Sequence, residues 1–183
     1  MQNYQAFKPK PKPRPPALAG FVGVCLFSIF LCFPALSQPL RGRVVAIADG
    51  DTLTILDDEK TQHKIRLAGI DAPEKGQPFS QKAKENLSRL VFGQVVTIEG
   101  EKRDRYGRRV AKVLLHEVDA GLELVKLGLA WHFKRYQREQ NQSDRKSYAE
   151  AEEKARAERL GLWADPSPVD PSEWRARKRN PAP

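Results

Sequence analysis

The stretch Ile65-Arg66-Leu67-Ala68-Gly69-Ile70-Asp71-Ala72-Pro73-Glu74 sets an arginine on an apolar run and ends that run in two carboxylates around a proline. Residues 63–70 read as a strand. Upstream, residues 44–47 and 53–56 are short β-branched and aliphatic runs joined through Asp49-Gly50, a dipeptide that favours a hairpin. Asp57-Asp58-Glu59-Lys60 is the polar turn into the third strand. Downstream, Pro78 opens a helical stretch whose Phe79, Ala83, Leu87 and Leu90 fall on one face, and Gly93 stops it. Residues 95–98 and 110–115 are two further strands, separated by a charged loop over 100–109.

After Asp119 a short helix carries Leu122, Val125 and Leu129. A last helix starts near Ser143, turns Tyr148, Ala151 and Ala155 inward and ends at Leu160-Gly161. Three strands, a helix, two strands and two helices make an α+β domain. Five short strands with an inserted helix suit a small closed Greek-key barrel of the oligonucleotide-binding (OB) type. From Asp165 the chain is rich in proline and then basic, which reads as a mobile tail.

Composition is compatible with this single domain. The chain has 183 residues, 40% hydrophobic and 30% charged, enough for one core of roughly 100–150 residues plus tails. Its formal charge of +9 and pI near 9.7 favour a polyanionic partner, nucleic acid or an anionic membrane. Part of that excess is N-terminal. Lys8, Lys10, Lys12 and Arg14 alternate with prolines, residues 17–36 are apolar and uncharged, and Ala35 and Ser37 are small residues before Gln38. The pattern predicts a secretory signal peptide over 1–37; the alternative is an uncleaved membrane anchor. Either places the domain outside the cytoplasm, secreted or periplasmic in the first case and membrane-tethered in the second. Without residues 1–37 the balance is 28 basic against 23 acidic residues, a charge of +5. Cys25 and Cys32 both fall in that segment, so the rest of the chain forms no disulfide.

With the basicity so reduced, any nucleic-acid chemistry must rest on motifs. Asp49-Gly50-Asp51-Thr52, then Arg66 with Asp71 and Glu74, then Asp104-Arg105-Tyr106-Gly107-Arg108 supply carboxylates for a hard cation, a spare carboxylate as base, and guanidiniums for a phosphate. Taken singly, each has a plainer explanation. Asp49-Gly50 is turn chemistry, Arg66 points to water from a half-buried strand, and Arg108 belongs to a solvated loop. An EF-hand is excluded, because neither Asp49 nor Asp51 begins a loop with glycine and glutamate at the required places. His63, His116 and His132 lack zinc-ligand spacing. Trp131-His132-Phe133-Lys134-Arg135-Tyr136 interleaves aromatics with bases, as base stacking beside a phosphate requires, or as a core edge does. Tyr106 and Tyr136 are the candidate nucleotide contacts.

In this order and spacing the motifs resemble the thermonuclease family, typified by staphylococcal nuclease, over about residues 41–163. Gly128-Leu129-Ala130 and Leu160-Gly161-Leu162-Trp163 resemble its C-terminal signature. The resemblance implies a five-stranded OB barrel with three helices and calcium-dependent hydrolysis of DNA and RNA. It implies that Asp51, Asp71 and the Ala72 carbonyl bind Ca2+, with Asp49 in an outer shell. It assigns Glu74 as general base and Arg66 and Arg108 as phosphate ligands. Ala72 departs from the threonine of many members, which a main-chain ligand tolerates. No protein partner is implied, and contact with a membrane is expected only through residues 1–37. The rival expectation is a noncatalytic nucleic-acid-binding OB module, against which the full set of Asp51, Arg66, Asp71, Glu74 and Arg108 argues.

Overall fold

The computed structural model describes residues 39–180 together with Lys10 and Lys12. The expected signal or anchor segment otherwise lies outside the described residues. In chain order the elements are β1 (Leu40–Ile47), β2 (Thr52–Leu56), β3 (Gln62–Leu67), β4 (Ile70–Asp71), α1 (Ser80–Val91), β5 (Val95–Glu99), β6 (Arg109–Leu115), β7 (Val118–Asp119), α2 (Ala120–Lys126), β8 (Trp131–His132), α3 (Gln142–Ala157) and α4 (Pro171–Arg179).

Alternation along the strands builds a barrel. Leu53 and Ile55 of β2 and Ile65 and Leu67 of β3 point inward and are fully buried, while Lys64 and Arg66 take the opposite face. β1 pairs antiparallel with β2 and β5, β2 with β3, and β5 with β6. A parallel pairing of β3 with β6, Arg66 opposite Val110, closes the five strands. Val44, Val96, Ile98, Ala111 and Val113 complete the inner layer. The expected five-stranded OB-type α+β fold is thus present.

α1 covers one end through Ala83, Leu87 and Val91. Val91, not Leu90, ends the buried face, because it continues the spacing of four from Ala83 and Leu87; the helix starts at Ser80 rather than at Pro78. Phe79 adopts a left-handed backbone with φ 68° before it. Leu90 and Phe79 pack from the side. α2 is capped by Asp119, whose side chain accepts from the Gly121 and Leu122 N–H groups. α3 buries Tyr148, Ala151, Glu152 and Ala155.

Two expectations need correction. The third strand ends at Leu67, not Ile70: Gly69, at φ 75°, turns the chain so that Ile70 and Asp71 pair with His132 and Trp131 instead. The hairpin expected at Asp49-Gly50 is present, as β1 paired antiparallel with β2 across a connection over residues 48–51. Gly50 is required there by close packing: a Cβ would lie 2.7 Å from Ala83 Cβ and 2.8 Å from Ala72 Cβ. Finally, the mobile tail expected over 164–183 contains a fourth helix. Asp170 caps α4 from its side chain, and Pro171 occupies its first turn. A proline-rich, basic composition concealed these helix-start signals.

Candidate active site

The carboxylates come together because Gly69 ends β3. Asp71, 1% exposed, sits just past that turn, while Asp51, 7% exposed, ends the β1–β2 connection. A backbone bond holds the two segments together, with Leu67 N donating to Asp51 O at 2.8 Å, and Ala68 N donates to Ala111 O of β6 at 2.9 Å. Asp51 Oδ2 also accepts from Ala72 N at 3.0 Å, and Oδ1 accepts from the Thr52 hydroxyl at 3.0 Å. Ala72 therefore contributes its N–H to orienting Asp51.

Arg66 lies between the two carboxylates. Its Nη2 is 3.2 Å from Asp51 Oδ2 and 3.0 Å from Asp71 Oδ1. Its Nη1 donates to the carbonyls of Leu67 and Ile70, each at 3.0 Å. The fork expected to grip a phosphate is turned toward the protein, where it is largely committed. One nitrogen touches both oxygens, so Asp51 Oδ2 and Asp71 Oδ1 converge on Arg66 Nη2. Among the described residues no three His, Cys, Asp or Glu side chains converge in that way, so the donor set is these two carboxylates, to which carbonyls, water and substrate oxygens would add.

Arg108 arrives from the charged loop. Asp104 builds the turn, accepting from Tyr106 N at 2.9 Å and Arg108 N at 3.0 Å, and its Oδ2 holds Arg108 Nε at 2.7 Å. Burial pushes the Asp104 carboxyl up, but bonds from Arg108 and the turn outweigh it and hold it below its ordinary value. Arg108 Nη1 donates to Thr52 Oγ1 at 3.2 Å. Its Nη2 has no hydrogen-bond partner among the described residues, which leaves it open toward a ligand.

Glu74 lies at the rim, its side chain 38% exposed. Its N–H donates to Gln77 Oε1 at 3.0 Å. Asp49 stands behind the carboxylates, accepting from Asp51 N at 3.0 Å. Burial, then the charge of Asp51, raises the Asp49 carboxyl to about 6. Asp71 is raised as well, chiefly by burial, with Arg175 and Arg66 pulling the other way.

Two residues that sequence reasoning missed complete the site. Arg175 of α4 donates to Glu74 Oε1 at 2.6 Å, Asp71 Oδ2 at 2.8 Å and Asp71 Oδ1 at 3.2 Å. Those bonds, Asp71's foremost, raise Arg175 above its ordinary value. Gln77, 5% exposed, ties the Glu74 turn to the tail by donating to Val169 O at 2.6 Å. Nothing in the run Arg175-Ala176-Arg177-Lys178-Arg179 singles out its first arginine. For Gln77 there was likewise no local sign.

The aromatic candidates divide. Trp131 is core, packed edge-on against Trp163 at 5.4 Å. Tyr106 is 68% exposed, with the Arg108 guanidinium 5.4 Å from its ring centroid. Tyr136 is 45% exposed and packs edge-on against Phe133. Lys102, near the Tyr136 ring and paired with Glu139, links its turn to the charged loop.

Residues 64–165 match the family model described as staphylococcal nuclease homologue. An uncharacterized endonuclease of Haemophilus influenzae is 43% identical over 160 residues, covering 85% of this chain and 86% of its own length. A micrococcal nuclease of Shigella flexneri is 35% identical over 173 residues, covering 90% of this chain and 97% of its own. Protein ParB of Escherichia coli is 35% identical over 150 residues, covering 77% of this chain and 82% of its own. Residues 49–51 fall outside the 64–165 match but are too far from the N-terminus to escape an alignment over 85% of the chain. With a family model matched over more than half of its length and relatives of 35% and 43% identity, this chain belongs to the staphylococcal nuclease family as a nuclease of the hydrolase class.

Proposed function

We propose that this chain is an exported, calcium-dependent nuclease that hydrolyses phosphodiester bonds of both DNA and RNA with little sequence preference. The observation that carries the reading is the pair of buried carboxylates, Asp51 and Asp71, brought together on Arg66, with Arg108 joined to the same corner through Thr52. Site charge supports a cation. Asp51 and Asp71 flank Arg66, Asp49 is bonded to the Asp51 backbone and Glu74 lies at the rim, so four carboxylates surround a corner in which Arg66 is the guanidinium between the buried pair. Their remaining negative charge suits a divalent ion. Asp51, Asp71 and the Ala72 carbonyl would hold it, and Asp49 would support Asp51 from behind.

Bound calcium supplies positive charge next to the phosphoryl oxygens and orders water. Glu74, at the solvent edge, accepts a proton from the attacking water. Arg108, with Nη2 open, donates to a phosphoryl oxygen, and Arg66 adds its charge from the carboxylate side as negative charge develops. Tyr106, exposed beside Arg108, offers a face for the adjacent base. Export is supported by the n-region, apolar core and small-residue site of residues 1–37.

Release of acid-soluble nucleotides by the full chain, from single-stranded DNA and from RNA, tests this. Both should be degraded with calcium and neither with excess chelator. Binding of nucleic acid without any release would establish the noncatalytic OB module instead.

A further inference from the structure

We propose that α4 is an autoinhibitory gate, in which Arg175 occupies the catalytic carboxylates and must leave before a divalent cation can bind. The inference rests on the calcium reading and concerns its regulation. Arg175 is joined to both Asp71 oxygens and to Glu74 Oε1. These are the group assigned to hold the cation and the group assigned to take the proton. Both terminal nitrogens of the guanidinium are bonded to these carboxylates.

Coexistence is unfavourable. A calcium ion sits about 2.3–2.6 Å from its carboxylate oxygens. With Arg175 nitrogens at 2.8 and 3.2 Å from the two Asp71 oxygens, two cations would be forced into one pocket. Asp71 is 1% exposed, so water would screen that repulsion poorly.

The helix carrying Arg175 is built to leave. Of α4 only Pro171 is buried. Beyond Arg175 its neighbourhood is tied by Gln77 Nε2 to Val169 O and by Lys178 Nζ to Lys75 O at 3.2 Å. Undocking would break these two ties and the three Arg175 bonds and would uncover Pro171 and the half-buried Trp174. Binding linkage is reciprocal, so α4 lowers calcium affinity by the same factor by which calcium displaces α4. A docked population near nine in ten corresponds to about a tenfold loss of apparent affinity.

Two readouts on the full chain test the gate: calorimetric calcium titration, and amide hydrogen exchange across residues 171–179 with and without calcium. Arg175→Gln should raise apparent calcium affinity about tenfold. Asp170→Ala, which removes the α4 cap without touching the site, should raise it several-fold. Losing an acidic charge would by itself lower affinity, so a rise in Asp170→Ala reports release of the helix. In the wild-type chain, calcium should accelerate exchange across 171–179 but not across α1 to α3. Equal affinities in all three proteins, or α4 amides unmoved by calcium, would overturn the gate and leave the nuclease reading intact. A rise in Arg175→Gln alone would mark a bare charge effect and overturn it too. If no variant binds calcium, the calcium reading falls and the gate with it.

Discussion

Thr52 Oγ1 lies 3.2 Å from Arg108 Nη1, although 56 residues separate the two in sequence. Thr52 is also the cross-strand partner of Arg66 in the β2–β3 register, and its hydroxyl donates to Asp51. One short side chain therefore sets a carboxylate and the second arginine against the first. The three motifs meet at the start of β2.

The two arginines should respond differently to lysine. Arg108 contacts the surface turn and Thr52, so Arg108→Lys should stay folded while kcat falls at least about a hundredfold, roughly 2.7 kcal/mol of barrier. Arg66 serves two carbonyls and two carboxylates. Arg66→Lys should show the same fall in kcat and also lose about 3 kcal/mol of stability in urea unfolding. Full activity in either variant would remove that arginine from the reaction.

Metal binding and base catalysis should separate by mutation. Asp51→Asn and Asp71→Asn each remove a negative charge from the converging pair, so the calcium requirement should rise, with activity partly restored by excess calcium. Glu74→Gln should stay slow at saturating calcium. Saturation kinetics beside calorimetric titration decide the matter: calcium rescue of Glu74→Gln would make Glu74 a ligand.

Gly50 should be intolerant for a steric reason alone. Its added Cβ meets Ala83 and Ala72 closer than such atoms approach, so Gly50→Ala should cost about 1–3 kcal/mol. Ala83→Gly should relieve part of that. A double-mutant cycle by chemical denaturation should show coupling between the two positions, and strict additivity would refute the contact.

Tyr148 and Asp119 give a pH signature away from the site. Burial raises the Asp119 carboxyl, and the Tyr148 hydroxyl, bonded to it at 2.8 Å, opposes that rise. A folded-state value above the unfolded one means that the fold binds the proton more tightly. The group's contribution is therefore fully present below the unfolded value, near 3.8, and is lost as pH climbs through the folded value. Tyr148→Phe removes the opposing donor and should raise Asp119 further. Its destabilisation relative to wild type should reach about 1–3 kcal/mol at pH 7 and shrink at pH 4. A pH-independent difference in thermal or urea unfolding would contradict this.

Local signals were enough for the barrel and much of the chemistry. The strands β1, β2, β3, β5 and β6 each hold a short β-branched or aliphatic run bounded by turn residues, and α1 shows its face through Ala83 and Leu87, because both patterns are written within a few residues. Asp51, Arg66, Asp71, Glu74 and Arg108 could be named from short motifs in order. What those motifs could not carry was direction. That Arg66 turns its fork onto Asp51 and Asp71, and that Gly50 is needed by the approach of α1, follow from packing between distant segments. Least legible was Arg175. Within a solvated basic run it differs from Arg177 and Arg179 in nothing but position, and its pairing with Asp71 spans 104 residues. Sequence fixes which charges a segment carries; only the closed barrel and the path of the chain past Gln77 decide which one reaches a buried carboxylate.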